Sequence, residues 1–266
     1  SPQLIFSEML SGENLSDDEG EDRIVGGQNG LGAKITSVLS DLFIVETCDT
    51  ENKIFYRQEF KDSLSEICKP LLVDITNKAE IKNAELNKSQ LLPHTKIMFL
   101  PKYKEIFKLD IKKFYPTLHK MIQTRAWYAA AYTGLDVSFS SIDVNEEITI
   151  KFEEFCAMFT EHEIFSTKIL SDKYKKYPWD VCISLTDGKE RQMSMINGII
   201  TSSGGPHIKH IQNEIVDHLK DKVEKEIKAS GQKFNKNYIL NNIFIFMRGN
   251  VPNPDFTSQT KEELKA

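Results

Sequence analysis

Gly26-Gly27-Gln28-Asn29-Gly30-Leu31-Gly32-Ala33-Lys34 is the stretch whose reading decides the fold. Four glycines within seven residues remove the Cβ atoms that would hold a ligand off the backbone. The segment that follows, Ile35 to Leu39, is amphipathic and predicts the first turns of a helix. A helix N-terminus offers N–H groups without partners inside the helix, and the positive end of its dipole. A glycine loop running into one therefore suits an anion. Lys34 adds a compact cation that can reach terminal phosphates. The Gly-Lys-Ser/Thr ending of a P-loop is absent. The dinucleotide fingerprint does not fit either, because no apolar strand precedes the first glycine. On this motif alone a glycine-rich turn that merely caps a helix stays open.

Around that loop lies an ordinary globular composition: 266 residues, 40% hydrophobic and 27% charged, enough for one large domain or two smaller ones. No apolar run is long enough to span a bilayer, and the first residues lack the basic region of a secretory signal. Cys48, Cys68, Cys156 and Cys182 are far apart, with no Cys-x-x-Cys pair. This argues against a zinc ribbon and predicts reduced thiols, mostly small buried hydrophobes, in a reducing compartment. The net charge of −5 is uneven, since residues 1–22 hold seven acids and no Lys or Arg. The remainder carries 32 acids against 34 bases. Bulk charge thus announces no nucleic-acid binder, and any contact with DNA must be local.

Several elements follow from the pattern. Pro2 to Leu10 predicts a short helix, and the acidic 11–23 segment a lid over the loop or a plain solvated linker. Leu42–Cys48 and Lys53–Phe60 predict a hairpin turning at Thr50-Glu51-Asn52. Lys96–Leu100 predicts a strand. Leu109–Tyr132 predicts helix with a kink or break at Pro116. Asp136–Ile142 and Glu147–Ile150 predict strands, and Phe152–Phe159 a short helix. Trp179–Leu185 and Gln192–Ile200 predict strands joined through the hairpin chemistry of Asp187-Gly188. Pro206 opens a long helix to Ala229, and Ile243–Met247 returns as an apolar strand. That order implies an α/β (α+β) fold with a mixed sheet and one helical crossover, and a composition shift near residue 150 suggests a domain boundary. Far from the loop, Asn253-Pro254-Asp255-Phe256-Thr257-Ser258-Gln259-Thr260-Lys261 places an amide and a cation on one segment. Read alone it is a polar turn before a helix, capped by Ser258 or Thr260, with Glu262 and Glu263 in the first turn.

Together these pieces resemble the ATPase region of eukaryotic-type (type IIA) DNA topoisomerase II. Gly26 to Lys34 is similar to the family's Gly-Gly-Arg-Asn-Gly-Tyr-Gly-Ala-Lys box, Phe43–Thr47 to the strand after it, and Asn253–Leu264 to its Gln-Thr-Lys loop. Trp179–Asp187 and Ile196–His207 resemble transducer segments. The resemblance runs from about residue 2 to residue 264. It implies a partial GHKL (Bergerat) ATPase α/β sandwich over 1–148. A ribosomal S5-like transducer would follow over 149–266, truncated at its C-terminal helix.

On this resemblance Gly27, Gln28, Asn29, Gly30, Leu31, Gly32, Ala33 and Lys34 hold the triphosphate of ATP. Gln259, Thr260 and Lys261 reach its end, and Asn14 matches the asparagine of the family's Ser-Ser-Asn lid. Lys225, Lys228 and Lys233 fall about where the family has a DNA-contacting lysine loop, although interleaved acids also suit a solvated helix with i,i+4 pairs. The resemblance implies a homodimeric gate that captures a DNA duplex. The departures are Gln28 for the usual Arg, Leu31 for Tyr, and Gly12-Glu13 for Ser-Ser. Backbone N–H groups do most of the cradling, so nucleotide binding is expected to survive them.

The family's general-base Glu, its Mg²⁺-binding Asn, its TOPRIM site and its cleavage Tyr have no match here, so the chain alone is expected neither to hydrolyse ATP nor to cut DNA. The fitting locations are the nucleus of a eukaryotic cell, or the host cytoplasm or virion of a large DNA virus. The alternatives are a nucleotide-free DNA- or protein-binding transducer module, or another GHKL ATPase. A stripe of His207, His210, Glu214 and His218 along one helix suits a polar face far better than a metal site.

Overall fold

Alternating side chains pair β1 (Ser40–Asp49) with β2 (Ile54–Lys61) in antiparallel register, with Phe43 opposite Phe60 and Cys48 opposite Phe55. The turn is held by Asp49, whose carboxylate accepts from the N–H groups of Glu51 and Asn52 at 3.0 and 2.9 Å. The computed structural model describes residues 1–8, 23–27, 29–170, 176–229, 231 and 233–265. Asn14, Gln28, Gly12, Glu13 and most of the expected lid fall outside them. The described residues group into two compact units, one of residues 1–8, 27 and 29–116, the other of 23–26 and those from 117 onward.

In the first unit, β1 lies between β2 and β5 (His94–Pro101), antiparallel to both. Two short strands, β3 (Glu66–Ile67) and β4 (Leu71–Asp74), pair with β2; neither is visible as an alternating run. Helix α1 (Pro2–Ser7) is shorter than its pattern suggests, α2 (Gly32–Val38) follows the glycine loop, and α3 (Lys78–Asn83) is capped by the Asn77 side chain. Phe43, Val45, Tyr56 and Phe60 form one core with Phe6 and Leu64 against it. Cys48, Phe55 and Val73 form another under α3. Glu46 on β1 is buried, and Arg57 and His94 meet its two carboxylate oxygens at 3.0 and 3.3 Å. Burial pushes this carboxyl up, yet the hydrogen bonds from Arg57 and His94 and the charges of Arg57 and Lys96 leave it below the usual range.

Helix α4 (Ile111–Thr133) continues through Pro116, against the expected break between two helices. The proline removes one bond, to the Lys112 carbonyl near the helix start, and the remaining turns carry the helix on. The second unit adds the hairpin β6 (Val137–Ser140) and β7 (Asn145–Ile148), and α5 (Phe152–Ala157).

Its larger sheet is built from β8 (Phe165–Ile169), β9 (Trp179–Leu185), β10 (Arg191–Ile196), β11 (Ile199–Ile200) and β12 (Ile243–Gly249). The strand order is β11-β10-β12-β9-β8, so β12 inserts between the two strands expected to form a hairpin at Asp187-Gly188. The hairpin lies instead at Asn197-Gly198, with φ of +51° and +76°, which divides the expected Gln192–Ile200 strand into β10 and β11. β10 and β12 are parallel, joined through α6 (Pro206–Ala229) and α7 (Asn237–Leu240), which is the expected mixed sheet with a crossover helix. Ile208 and Ile211 of α6 bury against Ile196, Ile245 and Met247. The four cysteines are free thiols, and Cys48, Cys156 and Cys182 are buried. No helix among the described residues is long and apolar enough to cross a membrane.

Candidate functional site

The glycine loop does three things locally. Gly30 adopts φ +59°, the left-handed region that glycine enters without a Cβ penalty. Space beside Gly27 and Gly32 is open, with nothing within 4 Å of where a Cβ would stand. Leu31 sits at the N-cap of α2, and its own side chain makes no capping bond there. Gly27, Gly30, Gly32 and Ala33 are exposed, and Asn29 and Leu31 are half-buried. Lys34 is fully buried instead of reaching outward: its Nζ donates to the Gly30 carbonyl at 2.8 Å and staples the loop to the first turn of α2.

In the second unit, residues 253–265 do not form the capped helix that their polar pattern permits. Phe256 and Leu264 bridge antiparallel, while Glu263 bridges in parallel to Gly204. Leu264 is buried in the sheet core, with its N–H on the Gly204 carbonyl at 3.0 Å. Burial of Leu264 outweighs the helix signal of the acids before it. Gly205, at φ +142°, passes so close that a Cβ would fall 2.4 Å from the Leu264 carbonyl oxygen. The segment that opens α6 is therefore the bed on which the Gln-Thr-Lys loop lies. Gln259 and Thr260 are exposed, and the Ser258 and Thr260 hydroxyls meet at 2.8 Å.

Lys261 takes φ +58° and sends its Nζ to the carbonyl of Gly26, 2.7 Å away and one residue before Gly27. Burial, and then the nearby charge of Arg23, hold the Lys261 ammonium below its ordinary value. The 23–26 strap is fastened to the same loop. Asn253 N–H donates to the Arg23 carbonyl at 2.7 Å, Arg23 N–H to the Asn253 Oδ1 at 3.1 Å, and Arg23 Nη2 to the Pro254 carbonyl at 2.7 Å. Gly26 has no room for a side chain, since a Cβ would stand 2.1 Å from Ile199 Cδ1. Sequence reasoning missed Arg23 and Asn253. A partnership across 230 residues leaves no local period, and the only available signal was an isolated arginine beside the glycines.

The base of the loop is anchored by Asn197, whose amide both donates to and accepts from the Val251 backbone at 2.9 Å. Arg248 pairs with Asp180 at 2.9 Å and caps the C-terminal carbonyls of Ala131 and Tyr132 on α4. Lys225, Lys228 and Lys233 are exposed, and Lys228 pairs with Glu224 at 3.1 Å in the i,i+4 manner. His207 is buried rather than part of a polar stripe. Its Nε2 lies 3.0 Å from Ser194 Oγ and 3.3 Å from Thr201 Oγ1.

Residues 145–266 match the protein family described as DNA gyrase B. DNA topoisomerase 2 of Meyerozyma guilliermondii is 28% identical over 284 residues, taking in 99% of this chain and 18% of that protein. The probable DNA topoisomerase 2 of Dictyostelium discoideum is 29% identical over 266 residues, 99% of this chain and 16% of that one. Among solved structures, the ATPase and transducer domains of DNA topoisomerase II from Balamuthia mandrillaris align with a TM-score of 0.81 at 25% identity. That alignment covers all of this chain and 62% of the other. The ATPase region of Saccharomyces cerevisiae topoisomerase II gives a TM-score of 0.76 at the same identity and coverage. The chain thus spans less than a fifth of the length of these curated relatives. Sequence and fold thus agree with the same proteins from one end of the chain to the other, and the chain is similar to part of the ATPase region of type II DNA topoisomerases.

Proposed function

We propose that this chain is part of the ATP-operated gate of a type IIA DNA topoisomerase, an enzyme that passes one duplex through a transient double-strand break in another. The observation that carries the reading is the bond from Lys261 Nζ to the carbonyl of Gly26, which sets an ammonium group one residue before the glycine loop. On this reading Gly27, Gln28, Asn29, Gly30, Leu31, Gly32 and Ala33 cradle the triphosphate with backbone N–H groups. Lys34 braces the loop, and Gln259, Thr260 and Lys261 read the terminal phosphate. The fit to a nucleotide rests on the open space at Gly27 and Gly32 and on a helix start whose N-cap residue makes no side-chain capping bond. Bound there, ATP supplies the polyphosphate charge that the two cationic segments answer.

Residues 1–148 serve on this reading as the later part of a GHKL domain and 149–266 as a transducer, with Asn14 in the lid. Lys225, Lys228 and Lys233 add a sequence-independent attraction to the captured duplex. The Mg²⁺ that accompanies ATP would be held by the family's Asn, which has no match in this sequence. Sedimentation of the intact protein tests the reading. A non-hydrolysable ATP analogue should bind and convert monomer to dimer, and ADP should not. Failure to bind either nucleotide, with DNA binding retained, would favour the nucleotide-free transducer module instead.

A further inference from the structure

Lys261 can serve a phosphate only if the loop beneath it is held in place, and the chain devotes an unusual set of contacts to that hold. Its carrier loop turns through two non-glycine residues in the left-handed region, Asn253 at φ +50° and Lys261 itself at φ +58°. Asn enters that region readily, whereas a lysine keeps it only where surroundings impose it. Asn253 is held in turn by Arg23. The two residues exchange a backbone N–H···O bond and a backbone-to-side-chain bond, and the Arg23 guanidinium then reaches the buried Pro254 through its carbonyl. Asn253 and Pro254 begin the segment that ends at Lys261, and Lys261 closes the circuit by bonding Gly26, three residues beyond Arg23. The strap and the loop are therefore one hydrogen-bonded ring with a cation at each end.

We infer that Arg23 is a positioning residue for Lys261: holding Asn253 through its backbone and Pro254 through its guanidinium, it fixes the loop that carries the ammonium, and so sets the preference for a nucleotide with a terminal phosphate. The inference rests on the proposed role of Lys261 in reading that phosphate. Arg23 acts through the loop and its field. Its charge and the burial of Lys261 both disfavour the isolated ammonium, and a phosphate that replaces the Gly26 carbonyl relieves both.

Competition binding of a non-hydrolysable ATP analogue and of ADP to the intact protein decides the matter, read as the ratio of the two affinities. Lys261→Ala should abolish the preference for the triphosphate. Arg23→Ala should cut the ratio about tenfold, the scale of one charge-assisted hydrogen bond. It should add nothing further in the Lys261→Ala background. Both substitutions at Arg23 leave its backbone exchange with Asn253; Arg23→Lys also keeps the charge but loses the guanidinium bond to Pro254, and should fall between wild type and Arg23→Ala. If Arg23→Ala weakens both nucleotides equally, or keeps the wild-type ratio while Lys261→Ala loses it, the positioning role is overturned and the gate reading stands. If Lys261→Ala also keeps the ratio, both fall.

Discussion

Two lysines in the candidate site end on glycine carbonyls, Lys34 on Gly30 and Lys261 on Gly26. In the sequence Lys34 follows the glycines directly and Lys261 lies far away, and only the structure separates their tasks. Lys34 is fully buried as a brace, while Lys261 is half-buried on a loop. His207 illustrates the same limit. On a helical wheel it joins His210, Glu214 and His218, yet it is buried with a pKa lowered to about 4 because burial disfavours its charged form. The unfolded histidine, with an ordinary value near 6.5, takes up a proton that the native state refuses. Stability on this account is therefore present above pH ~6.5 and lost as pH falls toward 4, by up to about 3 kcal/mol. Denaturant titrations at several pH values should show a shallower acid loss for His207→Gln than for wild type; equal slopes would mean that His207 is not the group responsible.

At the scale of elements, the reading held where local chemistry settles the outcome. The β1–β2 hairpin, the start of α6 at Pro206 and the apolar β12 follow from alternation, proline geometry and burial. It failed where a distant strand intervenes. Asp187-Gly188 has hairpin chemistry, but β9 and β10 both prefer β12, and no local signal reports that. Asn197-Gly198, a turn dipeptide of the same kind, lies inside an apolar run. Asn197 also ties this hairpin to Val251, at the foot of the Gln-Thr-Lys loop. Asn197→Ala should cost roughly 1–3 kcal/mol, because it leaves the Val251 amide without its acceptor. A thermal melt within error of wild type would refute that. Gly205→Ala meets the Leu264 carbonyl and should detach the 253–265 segment, read as faster proteolysis near the C-terminal end of this chain. Unchanged proteolysis would show that the bed can yield.

For the molecule as a whole, near-neutral charge outside the first 22 residues makes any DNA attraction a matter of a few lysines. Lys228 is already paired with Glu224, so replacing Lys225, Lys228 and Lys233 together should reduce the salt slope of DNA affinity by fewer than three phosphate equivalents. A larger drop would mean that the pair opens on DNA. The resemblance to type II topoisomerases was legible from two short motifs and their order. The strap through Arg23 was not, because it exists only once residues 230 positions apart are folded together. The central claim is that the glycine loop and the Gln-Thr-Lys loop serve one triphosphate. Amide hydrogen exchange of the intact protein, with and without a non-hydrolysable ATP analogue, tests it most directly. The account predicts new protection in both 29–34 and 259–264, and protection confined to one of them, or to neither, would contradict it.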